Sequence, residues 1–137
     1  MNREHLRLLK APSLDDFERL GREALTSLPD EFRRLIGEIE IRVDEFPTEE
    51  VLDSLGIESE FDLMGLFQGI GLAHASAVDY TGAMPNRIWL YRRPILDYWA
   101  EHDETLDAVV SHVLIHEIGH HFGLSDGDME AIEEAAD

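Results

Sequence analysis

Residues 105–126 read TLDAVVSHVLIHEIGHHFGLSD and combine a helical pattern of apolar residues with a cluster of histidines. The apolar residues recur at steps of three and four, which predicts a helix from about Thr105 to Phe122. They are Leu106, Val109, Val110, Val113, Leu114 and Ile118. Gly123 follows at the point where a helix would end, because glycine readily adopts the left-handed backbone of a helix C-terminus.

Within this predicted helix lies the sequence His116-Glu117-Ile118-Gly119-His120. Residues four apart sit one turn apart on the same face, so the two imidazoles can converge on one metal ion. Glu117 lies about 100° around the helix from His116, close to the ion but outside its ligand shell. Zinc lowers the pKa of a bound water towards about 7, so Glu117 can act as the general base in amide hydrolysis.

A catalytic zinc site holds three protein ligands and leaves one position for water. Gly123 can turn the chain sharply, and Asp126 stands three residues further on, so Asp126 is the predicted third ligand. A chance H-E-x-x-H is expected in roughly 4% of shuffles of this composition, and the added Gly and Asp lower this to roughly three in ten thousand. Alternatively, Ser125 or Asp126 simply caps a final helix over residues 129–136.

The neighbouring histidines and acids are candidates of lower rank. Glu130, Glu133 or Glu134 could replace Asp126 as a ligand, but their spacing is short for that arrangement and we interpret each as a solvated acid. His112 lies one turn before His116, and one ion cannot span three successive turns and still bind Asp126. We therefore assign His112 to the surroundings of the site or to the surface, together with His121.

The remaining sequence predicts a mixture of helices and short strands. We expect a helix from Ser13 to Leu28 with Ser13 as its N-cap, a short helix between Pro29 and Gly37, and another that begins at Thr48 and stops at Gly56. Apolar and charged residues alternate in residues 38–44, which predicts a strand with Ile39, Ile41 and Val43 on its buried face. Residues 61–67 form either a strand or a helix.

Residues 68–86 contain three glycines and several other small residues and read as a long loop, a kind of segment that often carries function. Residues 88–91 follow as a predicted strand. Pro94 suits the end of an edge strand because it cannot donate a ladder hydrogen bond, and residues 95–100 turn into a short helix.

The composition limits the classes of partner. The 137 residues suit one domain, residues 1–137, which we expect to be an α+β monomer. A formal net charge of −19 disfavours nucleic acid and membrane partners. The chain has no cysteine, so a transition metal must use histidine and carboxylate ligands. No stretch is apolar enough for a signal peptide or a membrane span, which predicts a cytoplasmic protein.

The motif HEIGHHFGLSD resembles the extended zinc signature HExxHxxGxxD of metzincin-like peptidases, with aspartate in place of their usual third histidine, as in the snapalysin-like enzymes. With the segment NRIWLYRRPIL it is more similar to the minimal zincins, which are small bacterial metalloprotease-like proteins. The resemblance covers residue 39 to the C-terminus. It implies a small twisted mixed β-sheet backed by helices, with residues 87–92 as an edge strand that binds an extended peptide substrate through main-chain hydrogen bonds.

The sequence departs from the metzincin pattern in two respects. Metzincins place a methionine turn below the metal, well after the third ligand, but only eleven residues follow Asp126 and Met129 is too close for that role. In addition, no residue is clearly assigned to stabilise the oxyanion of the tetrahedral intermediate, and Tyr80, His74 and Arg87 are candidates.

Three functions are therefore weighed. The leading one is a Zn²⁺-dependent metallopeptidase that acts on peptide or protein substrates, with Glu117 as base and His116, His120 and Asp126 as metal ligands. The alternative is a catalytically inactive metal-binding or protein-interaction module with the same fold. A purely structural zinc site is less favoured because such sites usually fill all four positions with protein ligands. Another divalent ion could also use these ligands.

Overall fold

The computed structural model describes residues 3–69 and 86–136 of the chain. Seven α-helices, three β-strands and one short 3₁₀ turn follow one another in these residues. They are α1 (Arg3–Leu8), α2 (Leu14–Thr26), α3 (Asp30–Ile36), β1 (Ile39–Asp44), α4 (Glu49–Leu55), the 3₁₀ turn (Glu60–Asp62), β2 (Gly65–Gln68), β3 (Asn86–Tyr91), α5 (Arg92–Glu101), α6 (Leu106–His121) and α7 (Asp126–Ala135). No described helix is long and apolar enough to cross a membrane.

The helix boundaries follow from local capping signals. At the start of α2, the Asp16 amide donates to the Ser13 hydroxyl, and the Ser13 amide donates to the Asp16 carboxylate at 2.8 Å. This reciprocal pair satisfies two amides that the first turn leaves unbonded. At α4 a single bond forms the cap, because the Thr48 hydroxyl accepts from the amide of Val51, and Gly56 ends α4 in the left-handed conformation. The predictions for α2, α3 and α4 are confirmed.

The sheet contains three strands in the order β1-β3-β2. β1 pairs in parallel with β3, with Ile41 opposite Ile88, and β2 pairs antiparallel with β3, with Gly65 opposite Leu90. The predicted strands at residues 38–44 and 88–91 are confirmed. The segment 61–67, for which the sequence left strand and helix open, contains both kinds of structure. Its first residues belong to the 3₁₀ turn Glu60–Asp62, and its last residues belong to β2, which begins at Gly65.

The expectation that residues 87–92 form an edge strand is wrong, because β3 is hydrogen-bonded on both sides and is the central strand. Arg92 already belongs to α5, and Pro94 lies in the first turn of that helix, where a missing amide hydrogen removes no bond. β2 has β3 as its single partner within the described part of the chain. Of the two outer strands, β2 is the one that packs against α6.

The core lies between one face of this sheet and helices α2 and α6. Ile41, Ile88 and Leu90 point into it from β1 and β3, and Phe17 of α2 is fully buried among them. α6 contributes the residues that the sequence pattern selected, namely Val109, Val110, Val113, Leu114 and Ile118. The fold is therefore the α+β arrangement that was expected, a small mixed sheet packed on helices, and α6 supplies much of its buried core.

Candidate active site

Helix α6 carries the first three candidate residues on two successive turns. His116 and Glu117 are half-buried and His120 is exposed. The ring centroids of His116 and His120 are 5.9 Å apart and the rings are nearly perpendicular. α6 is one unbroken helix from Leu106 to His121, so the two histidines occupy one side of it, as the four-residue spacing predicted.

Glu117 lies against the beginning of β2. A Cβ atom built on Gly65 would be 2.7 Å from Val113 Cγ1 and 3.4 Å from Glu117 Cγ, so the absence of a side chain at Gly65 lets strand and helix approach closely. Burial raises the pKa of the Glu117 carboxyl above its ordinary value, and the neighbouring His120 opposes this increase. A carboxylate with a raised pKa is a better proton acceptor for chemistry near neutral pH.

The turn after α6 is a Schellman motif. Gly123 has φ of 73°, the amide of Leu124 donates to the carbonyl of Gly119 at 2.9 Å, and the amide of Gly123 donates to the carbonyl of His120 at 3.2 Å. This confirms the prediction that Gly123 ends the helix in the left-handed conformation. The chain therefore reverses direction immediately after the histidines.

Asp126 is the first residue of α7 and is exposed. The N-cap of α7 is Ser125, whose hydroxyl accepts the amide of Asp128 at 3.1 Å. The capping role that sequence left open between Ser125 and Asp126 therefore belongs to Ser125. In the described residues, the ligand atoms of Asp126, His116 and His120 do not gather within 4.8 Å of one another, so this ligand set stays a prediction.

The described part of the chain contains one group of three His, Asp or Glu side chains whose ligand atoms all lie within 4.8 Å of one another. This group consists of His112, His116 and Glu133. Glu133 Oε1 is 2.8 Å from His112 Nδ1 and 2.8 Å from His116 Nε2. The interpretation of Glu133 as a solvated acid does not describe this structure. The short spacing between His120 and Glu133 does not keep Glu133 away from the histidines. The chain reverses at Gly123, so α7 runs back along α6 and brings Glu133 to His112 and His116.

Met129 determines how closely α7 approaches α6. It is fully buried, and a Cβ atom built on Gly119 would lie 2.4 Å from its Sδ and 2.7 Å from its Cγ. The methionine therefore rests directly on the helix backbone between the two turns that carry His116 and His120. Residues 126, 129 and 133 share the spacing i, i+3, i+7, so one side of α7 faces this region.

The residues suggested for oxyanion stabilisation have different positions. Arg87 Nη2 lies 3.7 Å from Glu40 Oε2 on β1, so the guanidinium charge is paired with a carboxylate of the neighbouring strand. His74 and Tyr80 fall outside the described residues. His121 is exposed, as expected, and its ring packs on Phe67 of β2 with centroids 4.2 Å apart.

Sequence reasoning missed three contributors to this site, namely Gly65, Met129 and the His112–Glu133 contact. The spacing of Met129, Ile132, Glu133 and Ala136 repeats at three and four residues and could have indicated which side of α7 packs inward. No local signal marks Gly65, because its role depends on a helix that begins forty residues later.

An HExxH helix beneath a small mixed sheet, with a half-buried glutamate between the histidines and the neighbouring strand, defines a metallopeptidase-type protein. Residues 36–136 match the family model described as zincin-like metallopeptidase. This range covers more than half of the chain, and the chain belongs to the zincin-like metallopeptidase family. No curated protein matches the chain closely enough to count as a relative.

Proposed function

We propose that this protein is a zinc-dependent peptidase in which Glu117 is the general base and the metal is bound by His116, His120 and Asp126. The observation that carries the proposal is the position of Glu117, half-buried beside Gly65 of β2 and directly after the first of two histidines on α6. A surface glutamate would have neither the close strand nor the raised pKa that burial causes.

The proposed ligands fit zinc by their chemistry. Two neutral imidazoles and one carboxylate are a donor set of catalytic zinc sites, and the chain has no thiolate to offer. Asp126 lies on the side of α7 that Met129 turns towards α6, one turn before Met129. The proposal requires its carboxylate to come closer to His116 and His120 than the described structure places it. When bound, the metal supplies a polarised water with a lowered pKa.

Glu117 performs the proton transfers in this proposal. Its carboxylate accepts a proton from the attacking water and later delivers that proton to the nitrogen of the leaving amine. The burial that raises its pKa makes the first transfer, from water to the carboxylate, more favourable than it would be for an exposed glutamate. Its contact with Gly65 restricts its side chain on one side, which keeps the carboxylate near the scissile bond.

The proposed substrate class rests on the outer edge of β2, which pairs with no strand among residues 3–69 and 86–136. We propose that an extended peptide segment pairs with the backbone of Gly65–Gln68 and continues the sheet beyond β2. Because Gly65 contacts Glu117, such a peptide would pass close to the catalytic base. Main-chain pairing recognises any extended segment, so peptides and exposed protein segments are the proposed substrates.

The test compares three zinc-loaded proteins on mixed peptide libraries: the wild type, Glu117→Gln and the matched control Glu130→Gln, which neutralises an exposed acid. We expect Glu117→Gln to bind zinc as the wild type does and to lose about 10²–10⁴-fold in rate, the usual contribution of a general base. Glu130→Gln should cleave normally. Equal cleavage by the wild type and Glu117→Gln, or no cleavage by any of them, would contradict the proposal.

A second function, a metal-binding module without peptidase activity, is favoured by one observation. The ligand atoms that come together are those of His112, His116 and Glu133, and His120 is not among them. This alternative expects zinc to raise the unfolding temperature of the wild type and Glu117→Gln equally, with no cleavage of any peptide. The same set of proteins therefore separates the two functions.

A further inference from the structure

Two histidines of α6 converge on one carboxylate of α7, one turn before the proposed catalytic pair. The rings of His112 and His116 lie face to face at 4.0 Å between centroids, with a tilt of 31°. Each presents a nitrogen to Glu133 Oε1 at 2.8 Å. Two imidazoles spaced i, i+4 and a carboxylate from a second helix are a donor set suited to zinc and related divalent metals.

Glu133 Oε1 is the atom of this cluster that indicates a bound cation. Oε1 is buried, yet neither nearby imidazole meets it with the geometry of a hydrogen bond, so it has no hydrogen-bond partner in the described structure. A buried acceptor without a donor is unfavourable. A metal ion bound between the three potential ligand atoms, which all lie within 4.8 Å of one another, would satisfy this oxygen.

Packing, rather than charge, brings Glu133 to this position. Met129 is fully buried on Gly119, and Glu133 follows one turn later on the same side of α7. Because the Schellman turn at Gly123 makes α7 antiparallel to α6, the next turn of α7 meets the preceding turns of α6, where His116 and His112 lie. The packing of α7 on α6 therefore brings the three side chains together.

An acidic cavity gives access to the cluster. Its volume is about 350 Å³, and His112 and Glu133 form part of its wall. Glu23 of α2 and Asp107 of α6 line the same cavity, so it contains three carboxylates and no Lys or Arg. Such a concentration of negative charge favours entry of a divalent cation.

We propose that His112, His116 and Glu133 form a second divalent-metal position, which competes with the catalytic position for His116. The Nε2 atom that faces Glu133 has a single lone pair, so it binds one metal at a time. The competition rests on the proposed function, whereas the second position does not. One zinc per chain then divides between an active and an inactive position in a ratio set by their affinities.

The test measures zinc affinity by competition with a chromogenic chelator and zinc content by elemental analysis. His112→Asn and Glu133→Gln remove the second position, Asp126→Asn removes the proposed catalytic one, and Glu134→Gln is the exposed control beside Glu133. We expect each single variant to retain one zinc. The pair His112→Asn/Asp126→Asn should weaken binding at least about 100-fold, the upper end of the loss for outer-shell groups. Circular dichroism of the metal-free proteins checks that each variant is folded.

The outcomes separate this proposal from the proposed function. Loss of zinc in Asp126→Asn alone, with no further loss on adding His112→Asn, would overturn the second position and leave the catalytic site intact. Loss of zinc in His112→Asn or Glu133→Gln, with retention in Asp126→Asn, would support the second position and contradict the proposed catalytic ligands. Absence of zinc from the wild type would contradict both.

Turnover of the zinc-loaded protein tests the competition for His116. Removing the inactive position returns all of the zinc to the active one, so His112→Asn should raise the rate, by about twofold if the two affinities are equal. A rate unchanged by His112→Asn in a protein whose second position binds zinc would show that His116 is not shared.

Discussion

The contact between Gly119 and Met129 allows a quantitative test of how α7 is held on α6. Substitution of Gly119 by Ala places a methyl group 2.4 Å from Met129 Sδ and 2.7 Å from its Cγ, well inside van der Waals contact. Met129 is fully buried, so it has little room to move. Overpacking of this kind costs about 1–3 kcal/mol, and alanine returns about 1 kcal/mol through its higher helix propensity. We expect Gly119→Ala to lower the free energy of unfolding by about 1 kcal/mol.

The double variant gives the stronger test. Met129→Ala alone should lower the free energy of unfolding by about 3 kcal/mol, because it leaves a cavity beneath α6. With Gly119→Ala added, the methyl group no longer clashes and partly fills that cavity, so the total loss should be about 2 kcal/mol. The sum of the single losses is about 4 kcal/mol, and the coupling between the two sites is therefore about 2 kcal/mol.

The assay is urea unfolding followed by far-ultraviolet circular dichroism on metal-free protein, so that zinc binding does not contribute to the measured stability. All four proteins of the cycle are measured together, and their denaturant slopes must agree for the comparison to hold. If the losses add to within about 0.5 kcal/mol, the two residues do not share the described contact, and the account of how α7 is seated is refuted.

Three further predictions concern the same region and its neighbours. Gly123→Ala should lower the free energy of unfolding by about 1–2 kcal/mol because its φ of 73° is unfavourable for a residue with a side chain. Gly127→Ala, in the first turn of α7, should be neutral or stabilising by up to about 1 kcal/mol, because an added Cβ would meet Ser125 Oγ at an ordinary contact distance of 3.8 Å. Equal effects of the two substitutions in urea unfolding would contradict this. Ser125→Ala should lower the free energy of unfolding by about 1 kcal/mol through loss of the α7 N-cap, and an unchanged urea midpoint would show that the cap contributes nothing. Burial, with smaller contributions from nearby Asp44 and Glu117, raises the pKa of Tyr91 from 10.0 to about 12. A raised folded-state pKa gives stability that is present below the unfolded pKa and lost as the pH rises through the folded pKa. The wild type should therefore lose about 2 kcal/mol more than Tyr91→Phe between pH 10 and pH 12, and parallel pH profiles would refute the assignment.

Local features of the sequence predicted most of the regular structure. The Ser13–Asp16 capping box and the left-handed glycines at 56 and 123 mark helix ends by hydrogen bonds that span only a few residues. The alternation of apolar and charged residues in β1 likewise reflects contacts of one face with the core. These signals depend on neighbours in the chain, so they could be recognised without knowing what packs against them.

The position of β3 could not be predicted in the same way. An apolar strand followed by proline suggested an edge, but β3 accepts partners on both sides, and the proline belongs to the first turn of α5. Strand order is decided by which segments, distant in sequence, bury their apolar faces together. The pattern of a single strand does not contain this information.

The residues of the candidate site also fall into two groups, those whose relation the sequence determines and those that only tertiary packing brings together. The sequence alone determined that His116 and His120 lie one turn apart with Glu117 beside them, because helical geometry fixes that relation. Only the tertiary structure decided that Gly65 lies close to Glu117 and that the Glu133 carboxylate lies 2.8 Å from His112 and from His116. Those contacts follow from the fit of a methionine against a helical glycine and of a strand against a helix, and such a fit exists only after the distant elements have packed.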